Sequence, residues 1–193
     1  MIYGGVKTEP EKNKPIDWLG IQYAIAEQRD ENAYKTLFFH FHSDLIDFSR
    51  SLLHDIQTAE DVVSETLVKV WTMGPNLLSI VNLKTYLYRS VKNSALNIIA
   101  KNKLQEDYTL TCDRPILTYT PEQELISKEI IHSIEQAISN LPPKTKTVFI
   151  LIRDNGCSYK EVAEIMEISK NTVDRHMQIA LTKIQKALPL IIK

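Results

Sequence analysis

Cysteine is scarce. The 193-residue chain has two, Cys112 and Cys157, with no metal-ligand spacing between them, and such usage fits a reducing compartment. Long apolar runs are missing as well. None approaches the roughly 20 residues of a membrane span. The first residues, MIYGGVKTEPEKNKP, lack the apolar core of a signal peptide, so the expected compartment is the cytoplasm. Histidines are few and dispersed. His40 and His42 lie two apart in a helical stretch and point to different faces, while His54, His132 and His176 are scattered. That is poor metal geometry, and no catalytic constellation accompanies it. No enzyme, metal or cofactor is therefore expected. No internal repeat or low-complexity segment stands out. What remains is a chain with 44% hydrophobic and 24% charged residues, ordinary for one or two small globular domains.

The pattern that is present is helical throughout. Apolar residues recur at helical spacing near Trp18–Gln28, Glu31–Leu53, Ala59–Trp71, Leu83–Asn102, Pro121–Asn140 and Pro143–Asn155, and two further helices follow. Residues 1–15 carry Gly4, Gly5, Pro10 and Pro15 and read as disordered. Residues 104–120, LQEDYTLTCDRPILTYT, have no helical period and read as a linker. The fold class expected is all-α: one domain over 16–103, a flexible linker over 104–120, and a second domain over 121–193.

The most specific signal lies in the second domain. A helix over Tyr159–Met166, a turn at Glu167–Ser169 and a helix running on toward Leu188 have the layout of a helix-turn-helix. The second helix of that motif lies in a DNA major groove with its first residues at the base edges. Ser158 is an expected N-cap, with Glu161 completing a capping box. Ala163 is small where the helices cross, and Ile168 points inward from the turn. Ser169 caps the second helix. Val173, Met177, Ala180, Leu181 and Ile184 make its apolar stripe. Lys170, Asn171, Thr172, Asp174, Arg175 and Gln178 are left facing out, and such side chains pair with base edges and phosphates. The plain alternative is an αα-hairpin with a solvated charged face.

A formal net charge of −1 is low for a chain that binds DNA, but the charges are segregated. Asp55, Glu60, Asp61 and Glu65 cluster without a Lys or Arg among them. Lys84, Arg89, Lys92, Lys101 and Lys103 follow without an Asp or Glu. Acidic surface repels DNA, so the acidic helix is expected to face a protein. Thr58 is its expected cap, with Asp61 at the box position. In the next helix Leu83, Leu87, Val91, Ala95 and Ile98 form a core stripe. Tyr86, Arg89, Asn93 and Asn97 form a second stripe, able to stack on and hydrogen-bond to unpaired bases. Taken singly, each of these faces could equally be a solvated surface.

Together these segments resemble the sigma-70 family of RNA polymerase sigma factors, in particular its extracytoplasmic-function group. RDENAYKTLFFHFHSDLIDFSRSLLHD resembles the opening of sigma domain 2, AEDVVSETLVKVW its polymerase-binding helix, and NLKTYLYRSVKNSALNIIAKNK its promoter-melting helix. LPPKTKTVFILIRDNGCSYKEVAEIMEISKNTVDRHMQIALTKI resembles domain 4. The resemblance implies that Asp61 and Glu65 contact bacterial core RNA polymerase. It implies that Tyr86, Arg89, Asn93, Asn97, Lys101 and Lys103 meet the minus-ten element, and that the loop Gly74–Asn82 captures a flipped base. It places Lys170, Asn171, Thr172, Asp174, Arg175 and His176 on the duplex minus-thirty-five element. The implied partners are core polymerase, promoter DNA as duplex and as non-template single strand, and an anti-sigma factor, in some members membrane-anchored, that wedges between the domains.

This chain departs from the family pattern at three points: Glu167 where Gly is frequent, Ala100 where a basic residue is common, and Asp174 on the reading face. The first predicts either a less tightly wound turn or a strained conformation at Glu167. The third offers an acceptor for cytosine N4 or repels phosphate. A transcriptional regulator acting without polymerase explains the helix-turn-helix but not the acidic helix or the polar stripe.

Overall fold

A computed structural model describes residues 16–53, 55–105 and 133–187, and among these no strand occurs. The helices are α1 (Trp18–Gln28), α2 (Glu31–Leu53), α3 (Ile56–Thr72), a 3-10 helix (Gly74–Ser79) and α4 (Leu83–Gln105). After residues 106–132 come a helical segment over 133–139 (α5), then α6 (Pro143–Arg153), α7 (Tyr159–Met166) and α8 (Lys170–Ala187). The expected disordered N-terminus and the linker fall outside the described residues. α4 runs to Gln105, two residues into the stretch read as linker, and α6 ends at Arg153 rather than Asn155.

The first domain is built on α2, α3 and α4. Leu37, Phe41, Leu45 and Phe48 of α2 meet Val63, Leu67 and Val70 of α3 and Leu87, Tyr88 and Val91 of α4, all buried. α1 and the 3-10 helix close one end of the bundle. Gln22, itself buried, donates from Nε2 to the carbonyls of Leu77 and Ile80 and so satisfies the end of a 3-10 helix that lies in the expected loop Gly74–Asn82. Arg29, left-handed at φ 53, terminates α1. Its guanidinium donates to the Trp71 carbonyl and lies 5.7 Å from the Trp71 ring centroid.

The cap of α3 is Asp55, not the expected Thr58. α3 starts at Ile56, and its N-cap is Asp55, whose carboxylate accepts from the Thr58 backbone N–H at 2.8 Å. Thr58 is a donor to that cap, not the cap itself. Asp outranks Thr as an N-cap, so the helix begins one turn earlier than expected. The Thr58 hydroxyl and backbone bonds hold the Asp55 carboxyl below its ordinary pKa.

In the second domain α6 and α8 pack across α7 around Val148, Leu151, Val162, Ile165, Val173 and Ala180. The domains are not separate bodies. Tyr88 of α4 is 1% exposed, and α7 lies directly against α4.

Candidate nucleic-acid interface

The helix-turn-helix forms as its capping residues dictate. Ser158 Oγ accepts from the Glu161 N–H at 3.2 Å, and Glu161 Oε2 accepts from the Ser158 N–H at 2.8 Å. Burial pushes the Glu161 carboxyl up. The two bonds to Ser158, the Lys84 ammonium and a bond from Asn82 outweigh it, and the net shift is downward. Glu167 closes α7 at φ 57, ψ 43, in the left-handed region. Of the two outcomes that Glu at this position allowed, the structure shows the strained one, a conformation that favours glycine. Ser169 Oγ accepts from the Thr172 N–H at 3.1 Å and caps α8, as expected.

The reading face of α8 divides in two. Lys170, Asn171, Asp174, Arg175 and Gln178 are exposed. Thr172 and His176 are half-buried and already engaged. The Thr172 hydroxyl is 2.8 Å from Ser169 Oγ, and His176 Nδ1 is 2.9 Å from Thr145 Oγ1 of α6. Asp174 Oδ2 accepts from Gln178 Nε2 at 3.0 Å. The acidic residue on this face therefore holds the Gln178 amide in one orientation, with its carbonyl oxygen left over. Leu181, expected in the apolar stripe, is 54% exposed, because Met177 and Ala180 take the buried side of α8 at that turn and leave Leu181 on its shoulder.

On α3, Asp61 and Glu65 are exposed and four residues apart, with exposed Val68 one turn on. Residues Val62, Val63, Thr66, Leu67 and Val70 are buried on the other side. The acidic patch therefore points away from the bundle, free for a partner.

The polar stripe of α4 is split between solvent and the second domain. Asn93, Asn97 and Lys101 are exposed at successive turns. The Lys103 side chain lies outside the described residues. Tyr86 is half-buried, its hydroxyl 3.5 Å from Met73 Sδ. Arg89 turns toward α7 and donates from Nη2 to the Glu164 carbonyl at 2.8 Å, while its Nε is buried without a partner. Two residues that the sequence reading did not select join it. Lys92, 5% exposed, donates to the Ile165 carbonyl at 2.7 Å. Lys84 reaches the carbonyls of Asn155 and Gly156, each at 3.2 Å. Burial pulls the Lys92 ammonium below its ordinary pKa, Glu167 opposes this, and Arg89 adds to it. Their basic run was visible in the sequence, but nothing there pairs α4 with the carbonyl end of α7. A cleft of about 430 Å³ opens beside this contact between Val81, Tyr86, Arg89, Lys160 and Glu164. No group of His, Cys, Asp or Glu suited to a metal occurs among the described residues, and no described helix is long and apolar enough to cross a membrane.

Comparison with known proteins gives a consistent set of likenesses. Residues 37–105 match the family described as Sigma-70 region 2, and residues 131–184 match Sigma-70, region 4. Together they span more than half of the chain. The RNA polymerase sigma-H factor of Pseudomonas aeruginosa is 26% identical, over 86% of this chain and 91% of that protein. The ECF RNA polymerase sigma factor SigW of Bacillus subtilis is 24% identical, over 82% and 90%. The ECF RNA polymerase sigma-E factor of Haemophilus influenzae is 30% identical, over 58% and 65%. Among solved structures, the sigma factor RpoE of Bartonella quintana, in complex with the anti-sigma factor NepR, superposes with a TM-score of 0.64 at 21% identity, over 82% of this chain and 98% of that one. CnrH, in complex with the cytosolic domain of CnrY, gives 0.62 at 16%, over 88% and 96%. These two likenesses concern the fold.

Proposed function

This chain belongs to the sigma-70 family of RNA polymerase sigma factors, in its extracytoplasmic-function group, and we propose how its residues divide the work of promoter-specific initiation. Asp61 and Glu65 on α3 dock on core polymerase. Tyr86, Arg89, Asn93, Asn97, Lys101 and Lys103 of α4 meet the non-template strand of the minus-ten element. Lys170, Asn171, Asp174 and Arg175 of α8 meet duplex at the minus-thirty-five element, with Thr172 and His176 shaping that face from behind. The observation that carries this reading is that two helices packed on one another, α3 and α4, leave an acidic face and an Asn93–Asn97–Lys101 stripe exposed. A regulator acting without polymerase has no use for the first.

The chemistry is non-covalent. Unstacking bases costs a few kcal/mol per step, and stacking on aromatic or guanidinium planes returns about 1–3 kcal/mol per base. Tyr86 and Arg89 are the groups of α4 that can stack. Asn93 and Asn97 can read base edges, and Lys101 neutralises phosphate. The protein makes and breaks no bond, needs no metal or cofactor, and works in the cytoplasm beside the polymerase. An anti-sigma factor is the expected inhibitor, as NepR is named for the Bartonella relative. One that wedges between the domains here must first displace α7 from α4.

The test is run-off transcription with bacterial core polymerase on a library of promoter fragments, with and without the chain. New start sites that depend on the chain are expected, and their alignment yields the promoter. Binding to duplex with no binding to core and no new start sites would return the chain to the regulator class.

A further inference from the structure

The outer side of α8 carries a polar row. Asn171, Asp174, Arg175 and Gln178 are all exposed, and their spacing sets them on one face of the helix. Val173, Met177 and Ala180 are buried on the other side. The row is about 10 Å long at 1.5 Å per residue, within the roughly 12 Å width of a major groove. Inside the row Gln178 Nε2 donates to Asp174 Oδ2 at 3.0 Å. An ionised carboxylate only accepts, so the amide turns its nitrogen to Asp174 and its oxygen away. The second N–H of Nε2 stays open beside that oxygen. A free amide can present its donor and acceptor in either order; this one is left with a single order.

We propose that Gln178 is a base-reading residue of α8, that Asp174 is its positioning residue, and that the pair selects adenine at one position of the upstream element. The proposal rests on the assignment of α8 to the minus-thirty-five duplex. Among the four bases only adenine shows a donor beside an acceptor in the major groove, N6–H next to N7. Gln178 Oε1 accepts from N6, and the open N–H donates to N7. Guanine sets its O6 against Oε1, oxygen to oxygen. Thymine does the same with O4 and adds a methyl group. Cytosine offers N4–H but no acceptor for the N–H. Turned over, the same amide would donate to guanine O6, and Asp174 is what forbids the turn. A carboxylate on a DNA face repels phosphate; here discrimination between bases offsets that repulsion.

The experiment is run-off transcription by core polymerase carrying the full chain, on promoters randomised across the upstream element, with the base preference read at every position. Wild type should favour adenine over guanine at one position by at least about fivefold, the lower end of what a bidentate pair is worth. Gln178→Ala should lose that preference and keep those at the other positions, which also shows that the variant is folded. Asp174→Asn keeps the size of the side chain but accepts or donates. It should lower the adenine-to-guanine ratio at the same position while overall promoter use holds or rises, since a negative charge has gone. A pair that only supports the helix, or a carboxylate that only repels phosphate, changes use of all sequences alike and leaves the ratio as it was. That result, or a preference dependent on Gln178 for any base other than adenine, overturns the proposal. Start sites that depend on the wild-type chain uphold the polymerase assignment whatever the variants do. If the chain shifts duplex but directs no start sites, selection of randomised duplex by the chain alone reads the same ratio. A chain that selects no duplex removes α8 from DNA, and the adenine reading with it.

Discussion

His176 of α8 and Thr145 of α6 stand 2.9 Å apart, ring nitrogen to hydroxyl. The histidine that sequence similarity puts on the DNA face is half turned away from it, and it fastens the recognition helix to the helix behind. His176→Ala should therefore lower the thermal stability of the second domain by about 0.5–1.5 kcal/mol, the net worth of such a bond. Its effect on upstream-element binding should be smaller than that of Arg175→Ala. The two are separated by chemical denaturation beside fluorescence anisotropy on the mapped promoter duplex.

Arg175 is exposed on the outer face of α8. Arg175→Ala should weaken binding to the upstream element by about 1–3 kcal/mol if it reads a base, and the loss should depend on sequence at one position. An equal loss on every duplex, with a shallower salt dependence, marks a phosphate contact instead.

Asp61→Lys with Glu65→Lys should abolish capture of core polymerase while leaving helicity unchanged, because both side chains are exposed and neither supports the bundle. Undiminished pull-down of core by the double variant would remove these residues from the interface.

Glu167 is held at φ 57. A left-handed conformation costs a residue with a Cβ about 1–2 kcal/mol relative to the right-handed one, and glycine avoids that cost. Glu167→Gly should stabilise the second domain, by somewhat less than this figure, since glycine also loosens the unfolded chain. A urea titration measures the shift in midpoint.

Acid should loosen the start of α7. The Glu161 carboxyl is lowered in the folded chain, so the folded state favours its charged form. That contribution is complete above the ordinary value of 4.5 and is lost as pH falls through the lowered folded value. Glu161→Gln should flatten the pH dependence of stability below that value. Ser158→Ala should cost about 1 kcal/mol at neutral pH.

Much of this architecture was legible in the sequence, for local reasons. α1, α2 and α7 have the expected bounds because an end signal sits in the chain itself: Asp17 before α1, Asp30 before α2, Ser158 before α7. The exceptions are competitive or tertiary. Asp55 outcompetes Thr58 as a cap within four residues. The 3-10 helix is held by Gln22, 55 residues upstream of the Leu77 carbonyl it bonds, a pairing with no sequence signature. The exposed faces of α3 and α8 followed from helical period, except at Thr172 and Leu181. The engagement of Lys84, Arg89 and Lys92 did not, because their acceptors are backbone carbonyls of another domain, and backbone carries no residue identity.

The burial of Tyr88 reaches beyond recognition. Phe48, Tyr88 and Cys157 join the interiors of the two domains into one continuous apolar cluster. A chain so joined should denature as a single cooperative unit, with one heat-absorption peak. Two domains linked only by a tether melt independently.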